Sequence, residues 1–113
     1  MKSMEEMLKA AQQAAETIQK QMTETQAKLD SIEVEGAAGG GLVKIRCSAK
    51  GRVIGVAIDD GLIVPADKQM LEDLIAAAFN DARTKADEVA GAEMAKAQQG
   101  MGLPPGFNFP GLG

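Results

Sequence analysis

Apolar residues recur every seven positions along the first thirty residues. Two series, offset by three positions, fill the a and d sites of about four heptads: Met1, Leu8, Ala15, Met22 and Leu29, and Met4, Ala11, Ile18, Thr25 and Ile32. The pattern predicts one helix from Ser3 to about Asp30, with a thin, coiled-coil-like seam that favours close approach of another helix. Such a helix is roughly 40 Å long, whereas a compact domain of this size has a radius of gyration of only ~13 Å. Part of the helix must therefore project from the core or lie along a partner.

Apolar and polar residues then alternate over 31–36 and 42–58, which predicts three strands joined by two hairpins. A first turn centred on Gly39 and Gly40 gives these pairs: Glu35 with Lys44, Val34 with Ile45, Glu33 with Arg46, and Ile32 with Cys47. A second turn centred on Lys50 and Gly51 gives these: Cys47 with Ile54, Ile45 with Val56, and Val43 with Ile58. Apolar residues then meet each other, and acids meet bases.

Both hairpins place the same residues on one face, which we expect to be buried: Ile32, Val34, Val43, Ile45, Cys47, Ile54, Val56 and Ile58. The opposite face carries Glu33, Glu35, Lys44, Arg46, Ser48, Val53, Gly55 and Ala57. The second half of that face is small and apolar, so we expect another element, such as a second subunit, to cover it.

A second helix is predicted after Pro65 and Asp67, which are helix-start signals, and it runs to about Gln99. Its broad apolar stripe consists of Met70, Leu71, Leu74, Ile75, Ala78, Phe79 and Ala82. The later half, rich in alanine and charge, is expected to project as well. Prolines and glycines exclude a helix in the tail. We therefore expect one α+β domain over residues 1–99, ordered α-β-β-β-α with an antiparallel meander, and a Gly/Pro-rich tail over 100–113.

The composition argues against an enzyme. The 113 residues include no histidine, tryptophan or tyrosine, and the formal net charge is −4. Histidine is the usual general base near neutral pH and the commonest metal ligand, so we expect no catalytic residue, no metal and no cofactor. A single cysteine, no signal peptide and no run of ~20 apolar residues favour a soluble protein of the reducing cytoplasm, with no membrane partner and no small-molecule substrate.

Three features suggest chemistry but have simpler explanations. Cys47 faces the predicted core, which favours an inert buried thiol. Asp59 and Asp60 lack the ligand spacing of a calcium loop and are explained as turn residues. The segment 36–41 is rich in glycine, but it opens into a strand instead of a helix and lacks the Lys-Ser/Thr of a phosphate loop.

Basic residues have two possible roles on both helices. Lys9, Lys20 and Lys28, together with five glutamines between residues 12 and 26, lie largely off the heptad seam of the first helix. They are either a solvated face or a surface that touches the sugar-phosphate backbone. The same alternatives hold for Arg83, Lys85 and Lys96. In the predicted sheet, Glu33 and Glu35 neutralise Lys44 and Arg46, which leaves Lys50 and Arg52 free.

Three segments resemble one protein family in the same order along the chain. Residues 41–45, GLVKI, resemble the GLVKV element of the YbaB/EbfC family. Residues 70–82, MLEDLIAAAFNDA, and 100–107, GMGLPPGF, are similar to its MLEDLVAAAFNDA helix and GMxLPPGF tail. The likeness spans nearly the whole chain.

The resemblance implies an intertwined homodimer whose helices project like tweezers. It also implies binding to double-stranded DNA with little sequence preference, in the nucleoid of the cytoplasm, with a role in nucleoid organisation or gene expression. One departure is electrostatic, because residues 1–30 contain four lysines against five acids. By position and charge, the best candidates for DNA contact are Lys9, Lys20, Lys28, Arg83 and Lys85. The alternative function is a protein-interaction module that uses the first helix and the Pro-rich tail.

Overall fold

The computed structural model describes residues 3–100 and contains two long helices and a three-stranded antiparallel sheet. Helix α1 spans Met4–Ser31, and strands β1, β2 and β3 span Glu33–Ala38, Val43–Ser48 and Val53–Ile58. Two short 3₁₀ turns follow β3, and helix α2 spans Lys68–Gly100. The strand order is β1-β2-β3. The predicted α-β-β-β-α order and fold class are confirmed.

Helix α1 begins where the sequence predicts, because Ser3 caps it. The Ser3 hydroxyl accepts a hydrogen bond of 3.1 Å from the Glu6 backbone N–H, and two acids in the first turn favour the positive end of the helix dipole. Only the second half of α1 packs against the rest of the chain. Thr25 and Leu29 are buried, whereas residues 4–17 are exposed throughout. The expected projection is therefore real, and we call residues 4–17 the arm.

The first hairpin has the predicted faces but a different register. Each residue of β1 pairs with the β2 residue two positions beyond its predicted partner, so that Val34 lies opposite Cys47 and Glu35 opposite Arg46. The predicted pairs of Val34 with Ile45 and Ile32 with Cys47 are wrong. The strand continues to Ala38, and the turn uses Gly39, Gly40 and Gly41, all with positive φ. A slip of two residues leaves every side chain on its predicted face, so hydrophobic alternation could not exclude it.

The second hairpin matches the prediction except near its turn. Val43 pairs with Ile58 and Ile45 with Val56, as expected. A β-bulge then places Val53, instead of Ile54, opposite Cys47. Ser48 was assigned to the open face but is fully buried, and its hydroxyl accepts a hydrogen bond of 3.2 Å from the Arg52 backbone N–H.

Helix α2 covers β1 and β2 but leaves much of β3 exposed. The buried core joins β2 to small residues of α2: Val43, Ile45, Cys47, Leu62, Ala78, Ala82 and Ala86. Gly36 lets β1 approach α2 so closely that a Cβ there would overlap the backbone of Ala78 and Ala82. Val56, predicted to be buried, is 51% exposed because α2 does not reach it. Met70 and Phe79 of the predicted stripe are exposed as well.

The helices give the molecule an elongated shape, with a radius of gyration of 20.6 Å and extents of 76 × 21 × 17 Å. Neither described helix combines the length and apolar character needed to cross a bilayer. The Leu-Pro-Pro-Gly-Phe segment, assigned from sequence to the tail, lies outside the described residues.

Candidate nucleic-acid interface

The two lysines of α1 nearest its free end have no acidic partner among the described residues. Lys9 and Lys20 are exposed, and they lie eleven positions apart. At 3.6 residues per turn, that separation is about three full turns, so both side chains lie on one face roughly 16 Å apart. Glu16 lies one turn before Lys20 on that face, which keeps the net charge of the surface low.

Lys28 lies where α1 packs against α2 and is already paired. Its Nζ is 2.7 Å from one carboxylate oxygen of Glu93, and Lys96 Nζ is 3.3 Å from the other. We call these three residues the clasp. Their side chains differ in exposure, since Glu93 is only 12% exposed whereas Lys28 and Lys96 are 57% and 69% exposed.

Arg83 lies at the base of the helices, beside the β2–β3 turn. Its guanidinium is 3.3 Å from Asp87 and lies against Gly51, where a Cβ would overlap it unless the flexible Arg83 side chain moved. Arg52 in the same turn is 3.2 Å from Asp30 at the end of α1. The prediction that Arg52 is free is therefore wrong, whereas Lys50 has no acidic partner among residues 3–100.

Lys85 connects α2 to β1. Its Nζ lies 3.1 Å from Asp81 and donates a hydrogen bond of 3.0 Å to the backbone carbonyl of Glu35. Asp81 also accepts a 3.0 Å hydrogen bond from the Ala37 N–H. That backbone hydrogen bond, and then the one from Lys85, lowers the pKa of the Asp81 carboxyl. Lys85 thus holds the edge of the sheet, whatever else it contacts.

The five predicted contact residues do not form one surface. Lys9 and Lys20 share a face of α1, and Lys28 is turned by roughly a quarter of a turn from them. Arg83 and Lys85 are two residues apart on α2 and so point to nearly opposite sides. The sequence analysis weighed Lys50 and Lys96 as well but did not place them among the five. The approach of Lys96 to Lys28 is tertiary information, which the sequence of α2 does not contain.

The basic residues of the sheet are neutralised, as predicted. Lys44 Nζ is 4.0 Å from Glu35, and an Arg46 guanidinium nitrogen is 3.5 Å from Glu33. These pairs are diagonal in the observed register, so long side chains keep the contacts despite the slip.

The remaining candidate groups have structural roles. Cys47 is 3% exposed, and its thiol lies 3.8 Å from the carbonyl oxygen of Ala82. Burial raises the pKa of the Cys47 thiol, which disfavours the reactive thiolate. Asp59 accepts a 2.8 Å hydrogen bond from the Gly61 N–H, as a turn residue does. Within residues 3–100, no three acidic, histidine or cysteine side chains converge as metal ligands.

Comparison with known proteins gives a consistent result. The profile of the YbaB/EbfC DNA-binding family matches residues 1–101. A nucleoid-associated protein of Rhodopseudomonas palustris is 48% identical over 106 residues, which cover 94% of this chain and 99% of that protein. One of Rickettsia felis is 46% identical over 96 residues, or 85% and 90% of the two chains. The crystal structure of an uncharacterized protein from Helicobacter pylori is similar in fold, with a TM-score of 0.65 at 21% identity over 73% of this chain and 86% of that one.

Proposed function

We infer from the chain's membership of the YbaB/EbfC DNA-binding family that it binds DNA and helps to organise the nucleoid. We further propose that the DNA is double-stranded and is bound with little sequence preference, and that the protein acts in the cytoplasm without catalysing a reaction. The observation that carries the proposal is the arm, a solvent-exposed helical segment that extends beyond the core.

The side chains of α1 suit contact with phosphate and sugar. Lys9 and Lys20 offer positive charge on one face, and neighbouring glutamines offer neutral donors. Nonspecific binding depends on lysines that displace counterions, and log K falls by about 0.9 per phosphate contact for each unit of log salt. With few free lysines and Glu16 beside them, binding should be weak to moderate and should weaken steeply as salt rises.

The contact residues that we propose are Lys9, Lys20, Lys28, Arg83 and Lys85. Lys9 and Lys20 are the primary contacts because neither has an acidic partner among the described residues. The other three first have to share or exchange the carboxylates that they contact: Glu93 for Lys28, Asp87 for Arg83 and Asp81 for Lys85.

A gel-shift titration on unrelated duplexes at two salt concentrations tests this proposal. Lys9→Gln/Lys20→Gln should reduce the salt slope by about 1.8 for each copy of α1 that touches DNA. Lys44→Gln/Lys68→Gln removes the same charge from the sheet and the start of α2, and should leave the slope near that of the wild type. Absence of any shift at low salt with a folded protein would refute the proposal, as would equal effects of the two double variants.

We also propose that the protein acts as a homodimer, so that a second pair of helices can contact the same DNA. β3 has an unpaired edge within the described chain, and Val56 on it is exposed. Unpaired edges and exposed apolar patches are typical of association surfaces. An apolar groove of about 290 Å³ follows β3 and is lined by Leu62, Ile63, Val64, Pro65, Lys68 and Leu71.

Sedimentation equilibrium tests the dimer directly, because the expected mass is twice that of one chain. Val56→Asp should shift the equilibrium towards the monomer and weaken DNA binding together with it. A wild-type monomer at micromolar concentration would refute this part of the proposal, since only one pair of helices could then contact the DNA.

A second candidate function, docking of another protein, is favoured by the apolar residues of the arm. Met4, Met7 and Leu8 are 88%, 61% and 62% exposed on a helix that no described element covers there. Pull-down with nuclease treatment separates the two functions. Partners bridged by DNA are lost on treatment, and a directly bound partner remains.

A further inference from the structure

The clasp lies in an open cleft between α1 and α2. The cleft has a volume of about 250 Å³ and is lined by Gln21, Glu24, Thr25, Lys28, Glu93, Lys96 and Ala97. Glu93 lies at its centre, with one carboxylate oxygen on each lysine. The two lysines remain largely exposed to solvent around a carboxylate that is mostly covered.

Glu93 is ionised at neutral pH. The hydrogen bond from Lys28, and to a smaller extent that from Lys96, lowers the pKa of the Glu93 carboxyl against the opposing effect of burial. Two ammonium groups and the carboxylates of Glu93 and Glu24 therefore leave the cleft with no net charge. Without Glu93 it would carry a positive charge beside the proposed DNA-binding face.

We propose that Glu93 is an internal competitor for phosphate, occupying the position between Lys28 and Lys96 that a DNA phosphate oxygen would otherwise take. A carboxylate and a phosphate offer an ammonium the same kind of charged acceptor oxygen at similar distance. While Glu93 holds both lysines, neither displaces a counterion from DNA. This inference rests on the proposed DNA binding and assigns to Glu93 the role of weakening it.

Among the acidic residues that form ion pairs, Glu93 has the largest effect on the number of lysines available to DNA. Of the eight basic residues that pair with an acid among residues 3–100, only Lys28 and Lys96 converge on a single carboxylate. Removing that one carboxylate releases two cations at once. No other single acidic residue of the described chain would change the count of available cations as much.

Glu93→Gln tests the inference, because the amide keeps the shape of the side chain, removes its charge and leaves only one acceptor oxygen for the two lysines. Glu88→Gln is the matched control: it makes the same change in net charge on the exposed surface of α2, where Glu88 forms no ion pair within residues 3–100. In gel-shift titrations, Glu93→Gln should bind duplex DNA about three- to tenfold more tightly at low salt. Its salt slope should be steeper than that of the wild type by about one to two for each cleft that touches DNA. Glu88→Gln should change affinity less than about twofold.

A triple variant identifies the source of the gain. In Glu93→Gln/Lys28→Gln/Lys96→Gln, both the tighter binding and the steeper slope should disappear. Glu93→Ala provides the same test through a different side chain, and thermal denaturation shows which variants are folded.

The outcomes separate this inference from the proposed function. If the wild type binds DNA and Glu93→Gln behaves like Glu88→Gln, the inference is wrong while DNA binding stands. A gain that persists in the triple variant also overturns it. If neither the wild type nor Glu93→Gln binds any duplex at low salt, both proposals are wrong.

Discussion

Replacing Gly36 by alanine tests whether β1 and α2 are held together by direct backbone contact. A Cβ at this position would overlap the Ala82 backbone nitrogen and the Ala78 carbonyl oxygen, and would lie 2.6 Å from Ala82 Cα. Backbone atoms cannot rotate away as a flexible side chain can. The helix and the strand must therefore move apart, by roughly 1 Å, to restore ordinary contact distances.

That displacement opens the interface that holds most of the core. Ala78 and Ala82 are both buried beside the overlap, and a gap of this size forfeits between about a quarter and a half of the dispersion energy of each contact. Overpacking a core costs typically about 1–3 kcal/mol. Because the obstacle is backbone, we expect the upper end, about 3 kcal/mol. With an m-value of about 2 kcal/mol/M, the urea midpoint should fall by about 1.5 M.

Gly91→Ala is the matched control because it makes the same chemical change in α2, where a Cβ would meet nothing within 4 Å. Alanine in a helix interior is favoured over glycine by about 0.5–1 kcal/mol, so the urea midpoint should rise. Both variants are compared with the wild type at one protein concentration, since association shifts apparent stability. Equal midpoints for Gly36→Ala and the wild type would refute the close-approach argument.

Three further predictions follow from buried or paired groups. The pKa of Asp81 is lowered in the folded protein, so its stabilising effect is complete above the unfolded pKa of about 4 and is lost as pH falls through the folded pKa. Asp81→Asn should therefore reduce the fall of the urea midpoint between neutral and acidic pH. If the midpoint of the variant falls as much as that of the wild type, Asp81 is not responsible for this loss of stability. Leu29→Ala removes a side chain that is 4% exposed and should lower the free energy of unfolding in urea by about 3 kcal/mol. It should also weaken DNA binding in a gel shift, although no cation is lost. Unchanged binding would show that the arm does not depend on the packing of Leu29 in the core. Cys47 should react with a thiol reagent at least about a hundredfold more slowly in the folded protein than in urea, and a fast native reaction would show that the core opens readily.

The sequence predicted the faces of β1, and of β2 as far as Cys47, correctly, but it did not predict the burial of Ser48, the exposure of Val56 or the pairing of β1 with β2. Alternation has a period of two, so it cannot distinguish registers that differ by two residues. The three consecutive glycines make the length of the turn ambiguous as well. The actual register depends on Gly36 fitting beneath Ala82, a contact between distant parts of the chain.

The sequence predicted that the basic residues of α1 lie at the surface, but it did not predict how the five candidate contact residues are arranged. Lys9 and Lys20 are exposed on one face, as their spacing off the heptad seam indicated. The pairing of Lys28 with Glu93 joins residues 65 positions apart, and the local pattern of α1 contains no sign of it. From the sequence, Lys85 and Arg83 have the same two possible roles. In the structure Lys85 lies beside β1, where it contacts Asp81 and the Glu35 carbonyl.

The anchoring of α1 near its carboxyl end makes the helix a lever. Leu29 is a pivot close to the sheet, and Lys9 lies twenty residues away, or roughly 30 Å along the axis. A tilt of about 10° at the pivot moves the tip by about 5 Å, more than the distance between neighbouring base pairs, about 3.4 Å. Small adjustments in packing at one end would thus let Lys9, a contact residue that we propose, follow phosphates whose spacing varies with local duplex geometry.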